Sequence, residues 1–362
     1  MFIKKYFLTF INIIKINIRF LYSKSKKRKT ILFFHPVDNL TRIHDFYLKR
    51  MSFNNPQNID LIHCHKSFYN LHKENHKFIS YFSLKFIIFC DVFVSNNISD
   101  IFPPFSKKVY IHHSIYDTPL VETKKENEIE KRLSKYDFIL ISCKKVRKVF
   151  KKLFKNYQIP ILLETGYLRF SYLSKKIRDK SEHKRIIIAP TGIDSFNNLS
   201  IKKKLIDIIN ILQKNRYFVV LRPHPRDIKK RFYLDLNNKI LNKKNYFYDV
   251  SRDYRETFEK SEIMLTDLSG TAYTYAFLTK KPVIFFSIDE KKIRVSNYSN
   301  LNFFLDRKKI GEIVYDTRKI IIAIKKCRKN KRNIKKRINT LIKDNQLSVN
   351  SFNKTLNFLS NL

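Results

Sequence analysis

Four short stretches carry side chains suited to phosphate and proton chemistry. IHHS (111–114) ends an apolar run with two adjacent histidines, and LRPHP (221–225) sets His224 between two prolines with Arg222 beside it. IAPTG (188–192) ends on Thr191 and Gly192, and TDLSGT (266–271) gathers Asp267, Ser269, Gly270 and Thr271 ahead of AYTYAFLTK (272–280). An imidazole can take a hydroxyl proton near neutral pH. Neighbouring strand residues point to opposite sides, so one of His112 and His113 faces a ligand while the other packs. In LSGT, hydroxyls and backbone N–H groups meet at a helix start, where a phosphate gains several donors and the helix dipole. Ser269 acting only as an N-cap is the plainer alternative. The prolines around His224 restrict its backbone and would hold the ring at a cleft rim; a turn histidine with a local hydrogen bond is the alternative. His63, His65, His72 and His76 have no acidic or thiol partners at ligand spacing, so neither a metal nor another cofactor is expected.

All four stretches follow apolar runs that must position them. TILFFHP (30–36), NIDLIHC (58–64), FIIFCDVFVS (86–95), KVYIHHS (108–114), DFILISC (137–143) and IPILLETG (159–166) form one series. RIIIAPTG (185–192), YFVVLRPHP (217–225), EIMLTDLSG (262–270) and KPVIFFS (281–287) form a second, with helical periodicity between them, as over 200–214 and 252–260. Continuous rather than alternating apolar runs mark parallel strands covered on both faces. The expectation is therefore an α/β protein of two doubly wound, Rossmann-like domains facing a cleft, with ligands beyond the carboxyl ends of the strands. The domains predicted are 30–175 on the acceptor side and 185–315 on the nucleotide-donor side, with the charged stretch 174–185 linking them. A basic segment (1–29) and a basic helical tail (316–362) flank them.

The chain has 362 residues, with 74 Lys plus Arg against 31 Asp plus Glu, a formal charge of +43. Hydrophobic residues at 43% rule out a disordered chain, and only 4 Gly and 10 Pro rule out a collagen-like fibre. No run approaches the ~20 uncharged apolar residues of a membrane span, which excludes a polytopic membrane protein. Four scattered cysteines, without paired spacing, indicate neither a disulfide framework nor a zinc site, and suit the cytoplasm. The charge suits an anionic surface, yet a Lys-, Asn- and Ile-rich composition also follows from AT-rich coding. Near the N-terminus Phe7, Phe10, Ile11, Ile14 and Ile18 share one helical side, and Lys24, Lys26, Lys27, Arg28 and Lys29 follow. That pattern fits an amphipathic helix on the inner, anionic face of the cell membrane, or a helix packed on the first domain. Lys15 and Arg19 break the apolar stretch, so a signal peptide is not expected. Basic residues are spread along the whole chain and no nucleic-acid motif occurs, so nucleic acid is not an expected partner; a non-catalytic polyanion or nucleic-acid binder is the competing reading from another class.

Taken in order, these motifs resemble the CDP-glycerol glycerophosphotransferase family, teichoic-acid-type polymerases and primases with a GT-B-like catalytic fold. GYLRFSYL (166–173) is similar to that family's Gly-x-Pro-Arg-Asn-Asp segment, keeping Gly166 and Arg169. Ala189-Pro190-Thr191 is similar to its Ala-Pro-Thr strand end, and LRPHP matches its Arg-Pro-His-Pro segment. LTDLSGTAYTYAFLTKKPVIFFS (265–287) resembles its Thr-Asp-Tyr-Ser-Ser block and the Lys-Pro-Val-Ile strand. IHHSIYDTPL (111–120) is a looser match to Trp-His-Gly-Thr-Pro. The resemblance spans about residues 86–290. It implies His113 as base and His224 as the group that stabilises or protonates at the phosphoryl centre. It puts Arg169, Ser269, Gly270 and Thr271 on the pyrophosphate, with Thr191, Arg222 and Asp267 also on the donor side. The sequence departs from the family at Ser114, Leu168, Phe170, Ser171 and Gly270, and at Thr274, where the family has an acidic residue. A nucleotide-diphosphate donor is thus the broader expectation and CDP-glycerol the narrower. The implied function is transfer of glycerol phosphate or a related polyol phosphate from a CDP-linked donor to a hydroxyl of a lipid-linked or polymeric acceptor, building a teichoic-acid-like or capsule polymer. A GT-B glycosyltransferase using a nucleotide sugar for capsule or lipopolysaccharide is the alternative.

Overall fold

The computed structural model describes residues 2–35, 59–65, 76–112, 114–116, 126–193, 201–240, 242–251, 253–287 and 301–362. They fall into two compact units. One is Met1–His113, Lys125–Leu168 and Ser348–Leu362; the other is Ser114–Lys124 and Arg169–Leu347.

The first unit holds β1 (Lys29–His35), β2 (Ile59–His65), β3 (His76–Phe78), β4 (Val92–Ser95), β5 (Lys107–Ile111), β6 (Phe138–Ile141) and β7 (Ile161–Glu164). They form one parallel sheet in the order β3-β2-β1-β4-β5-β6-β7, the doubly wound pattern expected of continuous apolar strands. Helix α1 (Phe2–Ser25) lies on it, burying Ile16 and Phe20 among Leu32, Phe34 and Phe93. Arg19 Nε donates to both oxygens of Asp60 on β2, at 3.0 and 2.9 Å. Asn17 clamps the 3-10 turn Tyr81–Phe86, donating to Phe86 O and accepting from Ile88 N. The packed-helix alternative therefore holds for one side of α1. On its other side Phe7, Phe10, Ile14 and Ile18, joined by Tyr6, Leu21 and Tyr22, remain exposed. Helices α2 (Glu126–Leu133) and α3 (Lys144–Leu153) complete the cover; α3 buries Val146 and Phe150, one turn apart, and turns its lysines outward.

In the second unit, α4 (Leu168–Leu173) leads into β8 (Arg185–Ile188), α5 (Leu205–Lys214), β9 (Phe218–Leu221), α6 (Arg231–Lys239), β10 (Tyr246–Tyr248) and α7 (Arg255–Lys260). Then come β11 (Ile263–Thr266), α8 (Thr271–Thr279), β12 (Val283–Phe286), the short α9 (Asn302–Leu305) and α10 (Arg307–Ile310), and β13 (Gly311–Val314). The parallel sheet runs β10-β9-β8-β11-β12-β13, so the strand order reverses between β8 and β11. Helix α8 is apolar around its whole circumference and is buried from Ala272 to Leu278.

The C-terminal stretch divides between the units instead of forming one basic tail. Helices α11 (Ile320–Lys329) and α12 (Lys331–Asp344) belong to the second unit, and α13 (Ser351–Asn361) to the first. Beneath the basic residues each helix carries an apolar stripe: Ile320, Ile324 and Cys327, then Ile334, Ile338 and Leu341, then Phe352, Leu356 and Leu359. All four cysteines are free and buried.

Gly166 shows why the glycine of GYLRF is needed. Its φ is +93°, and a Cβ there would stand 2.1 Å from Ser351 Oγ at the start of α13. Side chains rarely adopt that conformation, and the hydroxyl fills the space. Gly166→Ala is expected to destabilise the protein by about 1–3 kcal/mol, read as a lowered midpoint in urea unfolding.

Candidate functional site

The point where sheet order reverses is where open α/β sheets receive ligands, because loops leave in opposite directions there. In the second unit the loops after β8 and β11 flank that point, and they carry Thr191 and the Asp267–Thr271 block. The loop after β9, carrying Arg222 and His224, is next to them.

Asp267 is fully buried, and its carboxylate accepts the backbone N–H of Thr191 at 2.8 Å and of Ile201 at 3.1 Å. Burial raises its pKa, and those backbone donors work against the rise. Asp227 does the same from the other side, accepting Ile193 N at 2.7 Å while pairing with Lys230 at 2.9 Å. The loop after β8 is thereby held by two buried carboxylates. Arg222 is engaged likewise. It donates to Asp249 at 2.6 Å and to the hydroxyl and carbonyl of Ser251 at 3.2 and 3.1 Å, tying β9 to the end of β10. The resemblance put Asp267 and Arg222 on the donor. The structure engages both within the protein, as groups that hold the loops.

His224 differs. Its Nδ1 accepts the backbone N–H of Arg226 at 3.3 Å, which leaves the proton of the neutral ring on Nε2, as a donor. Its pKa is lowered to about 4, by burial first, then by Arg226, with Lys230 and Arg169 acting in the same direction and Asp227 opposing. Arg169 and His224, separate motifs in the sequence, are thus brought within electrostatic reach. A neutral N–H donor surrounded by cations suits an anionic ligand.

At the start of α8, Ser269 Oγ accepts Thr271 N at 3.3 Å and Ser269 O accepts Ala272 N at 3.1 Å. Ser269 therefore does act as a local cap. Gly270, the residue before the helix, adds no side chain, and Gly270 and Thr271 are partly exposed. Thr274, where the family has an acid, is buried inside α8.

In the first unit His112 packs. It is buried, its backbone N donates to Leu140 O at 2.9 Å, and its ring meets Phe150 edge-on at 5.5 Å. His113, with Thr118 and Pro119 of the same motif, lies outside the described residues. His63 is buried and stacked on Phe33. Among the described residues, no group of three or more His, Cys, Asp or Glu side chains could hold a metal ion. A cavity of about 870 Å³ in the second unit, beside β10 and α7, touches none of the candidate residues and is lined by mutually paired charges such as Arg255–Asp253 and Lys260–Glu256.

Sequence reasoning missed Asp227 and Lys281. Asp227 stands three residues after His224 in RPHPRD, where a turn acid gives no signal of its own. Lys281, in the Lys-Pro-Val-Ile strand, is buried and donates to the carbonyls of Phe258, Glu259 and Ser261, capping the end of α7. Its role is structural.

The His224 shift has a measurable consequence. The folded imidazole titrates at about 4 and an unfolded one near 6.5, so the unfolded chain binds more protons between those values. The stability contributed by the neutral ring is present above about pH 6.5 and lost as pH falls toward about 4. His224→Gln is expected to remove that part of the slope in denaturant unfolding measured from pH 7 to 4.

One family model matches the chain along most of its length. The model of the CDP-glycerol:poly(glycerophosphate) glycerophosphotransferase family matches residues 17–351. The teichoic acid poly(glycerol phosphate) polymerase of Bacillus spizizenii (strain ATCC 23059 / NRRL B-14472 / W23) is 26% identical over 220 residues, 56% of this chain and 53% of that one. The minor teichoic acid biosynthesis protein GgaB of Bacillus subtilis (strain 168) is 27% identical over 183 residues, 43% of this chain and 18% of that one. The chain spans about half, or less, of the length of these curated relatives. Among solved structures, the wall teichoic acid polymerase TagF superposes with a TM-score of 0.63 at 17% identity, covering 97% of both chains. A putative UDP-N-acetylglucosamine 2-epimerase from Listeria monocytogenes gives 0.62 at 10% identity, covering 91% of this chain and 95% of that one. These likenesses show a GT-B-like fold, and with the family match over residues 17–351 the chain belongs to the CDP-glycerol:poly(glycerophosphate) glycerophosphotransferase family.

Proposed function

We propose that this chain transfers glycerol phosphate, or a related polyol phosphate, from a CDP-linked donor to a hydroxyl of a teichoic-acid-like acceptor. The observation that carries the reading is His224, a neutral N–H donor within electrostatic reach of Arg169 at the loop next to the switch point. In this mechanism His113 takes the acceptor's hydroxyl proton. The oxygen attacks the phosphorus bearing the polyol, and the bond to the bridging pyrophosphate oxygen breaks, releasing CMP. Charge gathering on the leaving phosphate meets Arg169, the Nε2–H of His224 and the start of α8 at Ser269, Gly270 and Thr271. Thr191, Arg222 and Asp267 hold the loops that present these donors.

Sugar transfer from a nucleotide sugar is the second reading. One observation favours it: position 274 is a buried threonine where the family has a carboxylate. A thermal-shift panel separates the two, since a ligand bound only by the folded state raises the melting temperature. CDP-glycerol or CDP-ribitol is expected to raise it more than UDP- or GDP-sugars do. A shift with a nucleotide sugar alone would move the assignment to glycosyl transfer.

The acceptor chemistry implies a working position at an anionic, inner membrane face, and α1 supports it. Among the described residues no helix is long and apolar enough to cross a membrane. Yet Phe7, Phe10, Ile14, Ile18 and Tyr22 are exposed along α1, and Phe82 and Phe86 are exposed on the 3-10 turn that Asn17 ties to it. Lys26, Lys27 and Arg28 stand exposed at the end of that face. Exposed apolar area rimmed by cations suits insertion among anionic headgroups. The protein is expected to sediment with phosphatidylglycerol vesicles more than with phosphatidylcholine vesicles, and the Phe10→Ser/Ile18→Ser double variant to stay in the supernatant.

A further inference from the structure

The mechanism uses none of the cations on α3, a helix that lies wholly within the first unit. Its sequence, KKVRKVFKKL, holds six Lys or Arg and no acid. Val146 and Phe150 are its buried side, and Phe150 meets the ring of His112, directly after β5, at 5.5 Å. The helix opens at Lys144, just beyond the end of β6 at Ile141. It therefore starts at the carboxyl ends of β5 and β6, the end of an open sheet where ligands are received. On the opposite side Lys144, Lys148 and Lys151 recur at i, i+4 and i+7 in one exposed stripe, which Lys155 extends into the following turn, with Lys152 exposed beside it. Four helical residues advance about 6 Å, so each turn presents one cation.

Among the described residues none of these five lysines makes an ion pair. Two carboxylates meet the segment, and both are engaged. Glu164 pairs with Arg147 at 2.6 Å, and Glu130 accepts the backbone N–H groups of Lys155, Asn156 and Tyr157 at 2.6, 2.5 and 2.8 Å. The arrangement also works against the helix. Three of its first four residues are basic and none is acidic, so cations meet one another and the positive end of the dipole. A bound polyanion relieves both. Exposed lysines are common in a chain of charge +43, but here they are aligned, unpaired and set at strand ends. The face differs from that of α1 as well: none of α3's apolar side chains is exposed, so it offers a bilayer nothing to bury. Its complement is a chain in water with regularly repeated negative charge. We propose that the lysine stripe of α3 is a track for the acceptor, holding the phosphodiester chain of a growing polyol-phosphate polymer. The inference rests on the polyol-phosphate reading above and adds to it the surface by which a long acceptor is preferred to a short one.

The test measures binding of labelled glycerol phosphate oligomers of increasing length to the full chain, as wild type and as Lys144→Gln/Lys148→Gln/Lys151→Gln. Neutralising a polyanion releases its counterions, so wild-type affinity is expected to rise with oligomer length and to fall steeply with salt. The triple variant is expected to bind the longest oligomer at least about tenfold more weakly and with a shallower salt dependence, its affinity for CDP being unchanged. Arg332→Gln/Lys335→Gln/Lys336→Gln removes the same charge from the exposed side of α12, in the second unit, and is expected to leave oligomer binding as in wild type. Unchanged oligomer binding in the α3 variant would overturn the inference. So would an equal loss in the α12 variant, which would reduce the effect to net charge. Loss of binding to phosphatidylglycerol vesicles with oligomer binding intact would also overturn it, giving the stripe to the membrane. A wild type that binds the oligomer through α3 but does not turn over CDP-glycerol would remove the functional reading and leave the track standing.

Discussion

The buried carboxylate of Asp267 is the interaction on which the candidate site depends. It ends β11, at the point where the strand order reverses, and accepts two backbone N–H groups from either end of the loop after β8. Buried backbone donors need partners, and a carboxylate supplies them at short range while tolerating burial because its own acceptors are satisfied. Asp227 completes the restraint from the far side at Ile193. The described ends of the loop after β8, at Thr191, Ile193 and Ile201, are thus held by carboxylates of the protein itself. Preorganised donors stabilise developing charge without reorganising as the reaction proceeds.

The electrostatics of the same region follow from this arrangement. Arg226, Lys230 and Arg169 all favour the neutral form of His224, and burial adds the larger part. Such a ring donates from Nε2 at physiological pH and is a poor proton acceptor there, which fits stabilisation of a phosphate oxygen better than general-base work. In the proposed mechanism the base role is therefore given to another group, while His112 is buried and packs against Phe150.

How far the sequence was legible depended on the range of the interaction. Parallel strands were visible because burial on both faces leaves continuous apolar runs, and the strands predicted around 108–114, 137–143, 185–192 and 262–270 are β5, β6, β8 and β11. The site's order of motifs was visible through the resemblance to a known family, each motif being short and local. Partners were not: Asp267 finds Thr191 across 76 residues, and Arg222 finds Asp249 across 27. Isolated in sequence, a carboxylate and a guanidinium near phosphate-binding motifs look like ligands, whereas in the fold Asp267 holds the loop after β8 and Arg222 the end of β10. The C-terminal region was read as a tail because its lysines mask an apolar stripe that only packing discloses. For α1 the packed-helix alternative holds on one side, and the other side leaves Phe7, Phe10, Ile14 and Ile18 exposed.

The central claim is attack at phosphorus by a site that holds a nucleotide diphosphate. The most direct measurement identifies the nucleotide released when the purified protein turns over CDP-glycerol with a teichoic-acid acceptor. The account predicts CMP, one for each glycerol phosphate transferred, with release abolished in His224→Gln while the variant remains folded. Turnover that releases a nucleoside diphosphate from a nucleotide sugar, with CDP-glycerol left intact, would contradict it.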